Sequence, residues 1–595
     1  MADPASTALA APRLSLGDGA AAFDAAVERA RTEDWATRLF DRDVTLWTAD
    51  SRVGEAIAER LGWLDAPAHF ADRTTGLEAF GDAVVEEGYE TAVVAGMGGS
   101  SLAPDVLHRT FGSIEGYLAL RILDSTDPAY VAATLDDLDP LRTLVIIATK
   151  SGTTTEPNAF QAYAWDRAEK ALKAVPHNRY EHPGAYFAAV TDPDSVRHIE
   201  HNDQFREIFL NPPEIGGRYS ALTYVGLVPA SLIGIDLDPL LASAAAMLVA
   251  CREPDAALNP GLALGLAIGS LAKAGRDKLT FLPDDEIGSF GAWAEQLIAE
   301  STGKHGVGIV PVDSEPLGAV ESYGNDRVFV RLTLAGSDGG TRDTLTDAVE
   351  AAGHPVIRIE IADPIDLGAE FVRWEVAVAI AGALLGIDPF DQPNVEEAKQ
   401  LTRDLLEAHG RDRDRHATDG AAVAQPIASG DGLTLYGDAA LRLTAGVGDV
   451  TGELARHLAR HRPDAYLCLQ AFIAPTPARD EAFARIRTLL RDRTKRATTA
   501  GYGPRFLHST GQLHKGGAPI GWFLQLTADH PADLEIPGWP YTFGQLIDAQ
   551  AAGDFAAIES HDLPILRVHL GADPDAGLAA LERALAAALA TPTEA

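Results

Sequence analysis

The run IIATKSGTTTEP (146–157) places Thr149, Ser151, Thr153, Thr154 and Thr155 around Lys150 and Gly152, directly after a strand-like apolar stretch. A loop built only to turn the chain would favour Gly, Pro, Asn or Asp. Hydroxyl donors gathered around a cation instead suit an anion, phosphate above all. A second stretch, VVAGMGGSSLAPDVL (93–107), reads as strand, glycine-rich turn and helix. Gly96, Gly98 and Gly99 let the backbone approach a ligand, and Ser100 and Ser101 stand where they cap the helix and offer hydroxyls to an anion. A dinucleotide fingerprint would need a third glycine where Ser101 stands and an acidic residue nearer than Asp124. In open α/β sheets ligands bind beyond the carboxyl ends of the strands, so both loops are expected to face one pocket.

SFGAWAEQLIAESTGK (289–304) has helical spacing, with Phe290, Trp293, Ala294, Leu297 and Ile298 on one face. Ser289 is the expected N-cap and Gly303 the expected C′ residue. Gln296 and Glu300, four apart, share another face. In the last turn the negative end of the helix dipole raises a carboxyl's pKa, which suits Glu300 as a general base near neutral pH. GGRYSALT (216–223) sets Arg218 at a helix start, and PFDQPNVEEAKQ (389–400) leads through Pro393 into a helix bearing Lys399. RFLHSTGQLHKGG (505–517) holds His508 and His514 in a glycine-rich loop. Each also has an ordinary reading as turn, cap or surface charge. His457 and His461 share a helix face at metal spacing, but arginines surround them and no acidic or Cys ligand is close, so no metal is expected there.

Parallel α/β sheets must position these segments, because strand-like runs alternate with helical patterns almost throughout. One group of strands is expected at 91–97, 120–125, 143–150 and 185–192, and a second at 278–284, 306–312, 327–334 and 355–361. A third is expected at 433–437, 465–473, 522–527 and 565–571. The domain reading is a helical N-terminal segment (1–85), a first α/β domain (86–240), a second (241–408), a charged linker (409–431) and a C-terminal α/β domain (432–595). The formal charge of -37 disfavours nucleic acid and anionic membranes as partners. Cys251 and Cys468 give neither a disulfide framework nor zinc spacing. The N-terminal stretch lacks the pattern of a signal peptide, and the run VAVAIAGALLGI (376–387) is too short to span a bilayer, so a cytoplasmic setting is expected.

Five of these segments, in order from Gly96 to Lys399, resemble motifs of glucose-6-phosphate isomerase, an aldose–ketose isomerase of glycolysis and gluconeogenesis built from two sugar-isomerase domains. GMGGSSLAP is similar to the family's GIGGSxLGP, TKSGTTTEP to SKTFTTxET, and PFDQPNVEEAK to SFDQxGVExxK, while GGRYSALT and EQLIAESTGK resemble the segments carrying its arginine and glutamate. The resemblance implies two doubly wound sugar-isomerase domains, with the third α/β region appended. It implies a substrate phosphate held by Ser100, Thr149, Ser151 and Thr154, with Gly99, Lys150 and Thr153 nearby and Gln296 lining the sugar site. Glu300 would move a proton between C1 and C2 through a cis-enediolate, Arg218 would stabilise the developing charge, and Lys399 and a histidine would open the ring.

The family's histidine lies between its glutamate and its lysine, shortly after the glutamate; here that interval, 305–332, has only His305, close to Glu300. LHSTGQ resembles the LHSxGQ that carries the histidine in some bacterial isomerases, which points to His508, with His514 second. The third region also resembles the C-terminal part of the isomerase half of bifunctional transaldolase/glucose-6-phosphate isomerases; no transaldolase activity is expected. The resemblance implies no metal or organic cofactor, a hexose phosphate as small-molecule partner, and a homodimer. Two rival readings are a sugar-phosphate sensor of the same fold, which would lack the base, and an isomerase that also accepts mannose 6-phosphate.

Overall fold

Before the first glycine-rich loop the chain forms β1 (Arg13–Ser15) and the helices between Ala20 and Glu86. β2 (Thr91–Gly96), β3 (Ala119–Leu123), β4 (Thr143–Ala148), β5 (Phe187–Thr191) and β6 (Glu207–Leu210) build a wholly parallel sheet in the order β3-β2-β4-β5-β6. β2 and β4 are buried along their whole length, as unbroken apolar runs are when helices cover both faces of a parallel sheet. β7 (Lys278–Pro283), β8 (Val310–Val312), β9 (Arg327–Leu334) and β10 (Val356–Ile361) repeat that order as β8-β7-β9-β10. The computed structural model describes residues 9–175, 177–394, 400–406, 425–444 and 448–590.

The eight strands expected for these two sheets are present, the one at 306–312 only as Val310–Val312, and their shared order makes the two halves alike. The N-terminal segment is not purely helical: β1 pairs antiparallel with β10 and so completes the second sheet. Three residues, RLS, are too short to show an alternation, and this edge strand is defined by its partner. β6 likewise closes the first sheet without a strong apolar run of its own.

The third sheet comprises β11 (Ala428–Gly430), β12 (Leu433–Gly437), β13 (Tyr466–Phe472), β14 (Ala497–Tyr502), β15 (Gly521–Thr527) and β16 (Ile565–His569), in the order β11-β12-β16-β15-β13-β14. The end of the expected linker, Ala428–Gly430, therefore belongs to this sheet as a hairpin partner of β12. β14, rich in Ala and Thr, escaped the apolar pattern.

This region is stitched onto the other two. Ile536, Phe543 and Leu546 join the main hydrophobic core, and the rings of Phe160 and Phe543 stack at 6.2 Å. Arg487 donates to the carbonyl oxygens of Asp313 and Ser314, and the buried Glu315 carboxylate accepts from Thr498 and pairs with Arg327. Such buried, hydrogen-bonded charges fix one docking geometry, because separating them would leave each unpaired in a poorly polarisable interior.

Candidate active site

A cavity of about 430 Å³ opens at the switch point of the first sheet, where the chain leaves β2 and β4 in opposite directions. Its lining includes Gly99, Ser100, Thr149, Lys150, Ser151 and Thr154 from the first sheet's loops and Arg218, Gln296, Glu300 and His508 from elsewhere. The helices Gly99–Phe111 and Thr155–Ala174 both begin here, so two positive helix ends meet the hydroxyls. Gly98 has φ +54°, and a Cβ there would come within 2.4 Å of the His508 carbonyl oxygen, so the turn needs glycine twice over. Ser101 is fully buried and donates to the Gly98 carbonyl, which leaves Ser100 as the hydroxyl at the cavity.

Neither helix start has a side-chain capping bond, so Ser100 and Ser101 do not cap the first helix as expected. Thr154 stands at the N-cap without accepting from the first turn, and its hydroxyl lies 3.3 Å from that of Thr149. Lys150 is half committed: its ammonium is 2.6 Å from Asp192 and donates to the Pro213 carbonyl. Thr153 meets the Ser151 hydroxyl at 3.0 Å but lines a neighbouring chamber that shares Ser151, Thr154 and His508.

Glu300 lies in the last turn of the helix Phe290–Thr302, as its spacing predicts. Burial pushes its carboxyl above the usual glutamate range, against the pull of Arg218 and His508. Oε2 is 3.3 Å from Arg218 Nη1 and accepts from Gln296 Nε2 at 3.3 Å. Arg218 is itself buried, and its remaining donors reach Ser301 Oγ, Gln392 Oε1 and the carbonyls of Pro389 and Asp391, each at 2.8 Å. Ser289 precedes the helix but bonds to the Val106 carbonyl rather than capping it. Gly303 ends the helix at φ -77°, not in the left-handed region; a Cβ there would lie 2.4 Å from Leu513 Cα, so close approach of the third region explains the glycine.

His508 reaches the cavity within a single chain. Arg505, three residues earlier, binds Asp105 at 3.0 Å and Asp124 at 3.2 Å, which pins the segment over the end of the first sheet. His508 Nε2 is 3.0 Å from Glu156 Oε1, and the same oxygen accepts from Gln550. Glu156, in the first turn of the helix Thr155–Ala174, has the sequence position of a capping carboxylate, and nothing local shows that it faces a histidine 352 positions away.

His514 is placed differently from its expected second rank. It is buried against Tyr466, Phe506 and Phe523, with Nδ1 3.3 Å from Gln470 Nε2, and burial holds its pKa well below the ordinary value. The aromatic core removes it from the cavity. Lys399 falls outside the described residues. His457 stacks on Trp522 and meets the Phe523 carbonyl at 2.9 Å, and among the described residues no group of three His, Cys, Asp or Glu could hold a metal. No helix among the described residues is long and apolar enough to cross a membrane.

A hydroxyl-lined pocket facing a buried carboxylate and arginine, on doubly wound sheets, has the parts that an aldose–ketose isomerase acting on a sugar phosphate needs. Residues 79–315, which include Ser100, Thr149, Arg218 and Glu300 but not His508, match the phosphoglucose isomerase family. A probable glucose-6-phosphate isomerase of Haloarcula marismortui is 31% identical over 440 residues, 66% of this chain and 94% of its own length. The glucose-6-phosphate isomerase of Rubrobacter xylanophilus is 28% identical over 59% of this chain and 90% of its own. The crystal structure of a hypothetical protein from Thermus thermophilus superposes over 66% of this chain and 99% of its own, with a TM-score of 0.54 and 25% identity. The chain belongs to the glucose-6-phosphate isomerase family.

Proposed function

We propose that this chain interconverts glucose 6-phosphate and fructose 6-phosphate by proton transfer through a cis-enediolate, with each step assigned to a residue of the cavity. The observation that carries the reading is the Glu300 carboxylate, buried and 3.3 Å from Arg218, in the same cavity as the hydroxyl wall.

The phosphate binds Ser100, Thr149, Ser151 and Thr154 at the two helix ends, with Lys150 as a screened cation beside it. That anchoring places C1 and C2 at Glu300. The carboxylate, held above its ordinary pKa by burial, removes a proton from one carbon and returns it to the other. Arg218 stays in place throughout because the protein satisfies its other donors, so it meets the enediolate oxygen without reorganising. His508, oriented by Glu156, exchanges the ring-opening proton, and Lys399 keeps the ring-opening part that the resemblance implies. Gln296 borders the sugar. Thr153 and His514 have no part.

A sensor that binds without turnover would have no use for a poised carboxylate. With His508 supplied from the same chain, the proposed homodimer is an assembly rather than a means of completing that residue, and a cytoplasmic setting follows from the substrate. The test is conversion of fructose 6-phosphate in deuterium oxide. Turnover with deuterium at C2 of the product is expected; binding without exchange would make the protein a sensor instead.

A further inference from the structure

Lys304 is wholly buried one residue beyond Gly303, and it does not line the cavity. Its ammonium donates to the carbonyl oxygens of Asp388 at 2.5 Å and Asp391 at 2.6 Å, and lies 2.6 Å from the Asp391 carboxylate. Two of the ammonium's three donors thus go to carbonyls of one short turn, and its charge lies against a carboxylate of the same turn. Arg218 reads the same turn from the other side, through the carbonyls of Pro389 and Asp391 and the side chain of Gln392. The Asp388–Gln392 turn is therefore folded around two buried cations that share the Asp391 carbonyl. Gln512 of the third region closes the far end, accepting from Asn394 N and donating to Asn394 Oδ1 and the Gly303 carbonyl, each at 2.9 Å.

We propose that Lys304 is a positioning residue of the isomerisation: its charge folds the Asp388–Gln392 turn into the shape that holds the Arg218 guanidinium on Glu300. The inference rests on the isomerase reading. Remove the ammonium and two turn carbonyls lose their donor and the Asp391 carboxylate its counter-charge, while Arg218 loses the carbonyls that fix two of its bonds. Glutamate and substrate would remain, with the arginine displaced.

The arrangement carries a pH dependence. The charged groups facing Lys304 are Arg218 from the turn at Gly217–Tyr219, Glu300 on the helix just before it, and Asp388 and Asp391 on the clasped turn. The neighbouring Gly511–Gly516 helix brings Lys515, already paired with Asp554 at 2.8 Å, and His514, which faces the core. Burial and Arg218 push Lys304 down to about 8, while the two aspartates hold it up. The clasp is thus intact below that pH and lost as pH rises through it.

The experiment is kcat and KM for fructose 6-phosphate across pH 6–10 for the wild type, Lys304→Met and Asp391→Asn. For Lys304→Met the expected kcat is roughly tenfold to hundredfold lower, the scale of a small misplacement of a reacting group. Its KM should stay within about threefold, since phosphate contacts are untouched, and its alkaline fall should vanish. Asp391→Asn removes a partly exposed carboxylate and keeps the carbonyl, so it decides the matter if Lys304→Met does not fold. Losing that negative charge should move the alkaline fall to lower pH by about half a unit to one unit. A folded Lys304→Met with wild-type kcat, or an alkaline fall unmoved in Asp391→Asn, would overturn this inference alone; a wild type without turnover would overturn the isomerase reading with it.

Discussion

The first and second sheets share one strand order and put it to opposite uses. Between β2 and β4 the switch point is open and lined by hydroxyls and two helix starts. Between β7 and β9 the equivalent position is filled by Arg331, which meets Asp284 at 2.5 Å, Asp343 at 2.7 Å and the Leu282 and Leu332 carbonyls. The second sheet contributes instead the far end of its first helix. That helix runs back to the start of β8, where Val310 N donates to the Asp277 carbonyl, and carries Glu300 there. In the proposed mechanism an anion binds at a positive helix end, while the base sits buried at a negative one. Strand order supplies the place for a ligand; side chains decide whether it stays open.

That contrast makes Arg218 and Arg331, both buried arginines facing carboxylates, the sharpest pair to separate. Arg218→Leu should lower kcat by about 10²–10³-fold, the usual loss for a preorganised donor at developing charge, with the larger effect on kcat than on KM. Arg331→Leu leaves Asp284 buried without its cation, and should cost about 3–5 kcal/mol in urea unfolding while sparing the kinetics of the folded enzyme. If Arg331→Leu instead cut kcat as Arg218→Leu does, the second switch point would be part of the site.

Smaller effects test the edges of the cavity. His508→Asn should slow turnover of the cyclic sugar by about 10²-fold while sparing proton exchange in the open-chain form, as for loss of one general acid–base group. An equal loss in both would remove the histidine from ring opening. Lys150→Ala should raise KM by about fivefold and leave kcat nearly unchanged, since a half-exposed lysine already paired with Asp192 contributes on the order of 1 kcal/mol; an unchanged KM would take it out of the phosphate grip. The acid limb of kcat/KM should lie above 4.5, the ordinary glutamate value, because the raised carboxyl is lost as a base when pH falls through it.

Much of this was legible from local pattern. Helical spacing puts Gln296 and Glu300 on one face, the motif resemblance gives them their roles, and composition marks the hydroxyl run after β4. What stayed hidden depends on residues far apart in sequence. Two histidines six positions apart look alike in LHSTGQLHKGG, and only the packing of Tyr466 and Phe523 around one of them tells them apart. Glu156 reads as a cap because its partner arrives from the third region. β1 is three residues whose meaning is supplied by β10. Lys304 reads as a helix-end lysine until the Asp388–Asp391 turn folds over it.

The central claim is that the carboxylate end performs the chemistry and the hydroxyl end only binds. Kinetics of fructose 6-phosphate conversion for the wild type and Glu300→Gln, measured side by side, test it most directly. Glu300→Gln keeps the shape and removes the base, so kcat should fall by about 10²-fold or more while KM stays within about threefold. A variant that keeps a tenth or more of wild-type kcat, or that loses binding instead of turnover, would contradict the account.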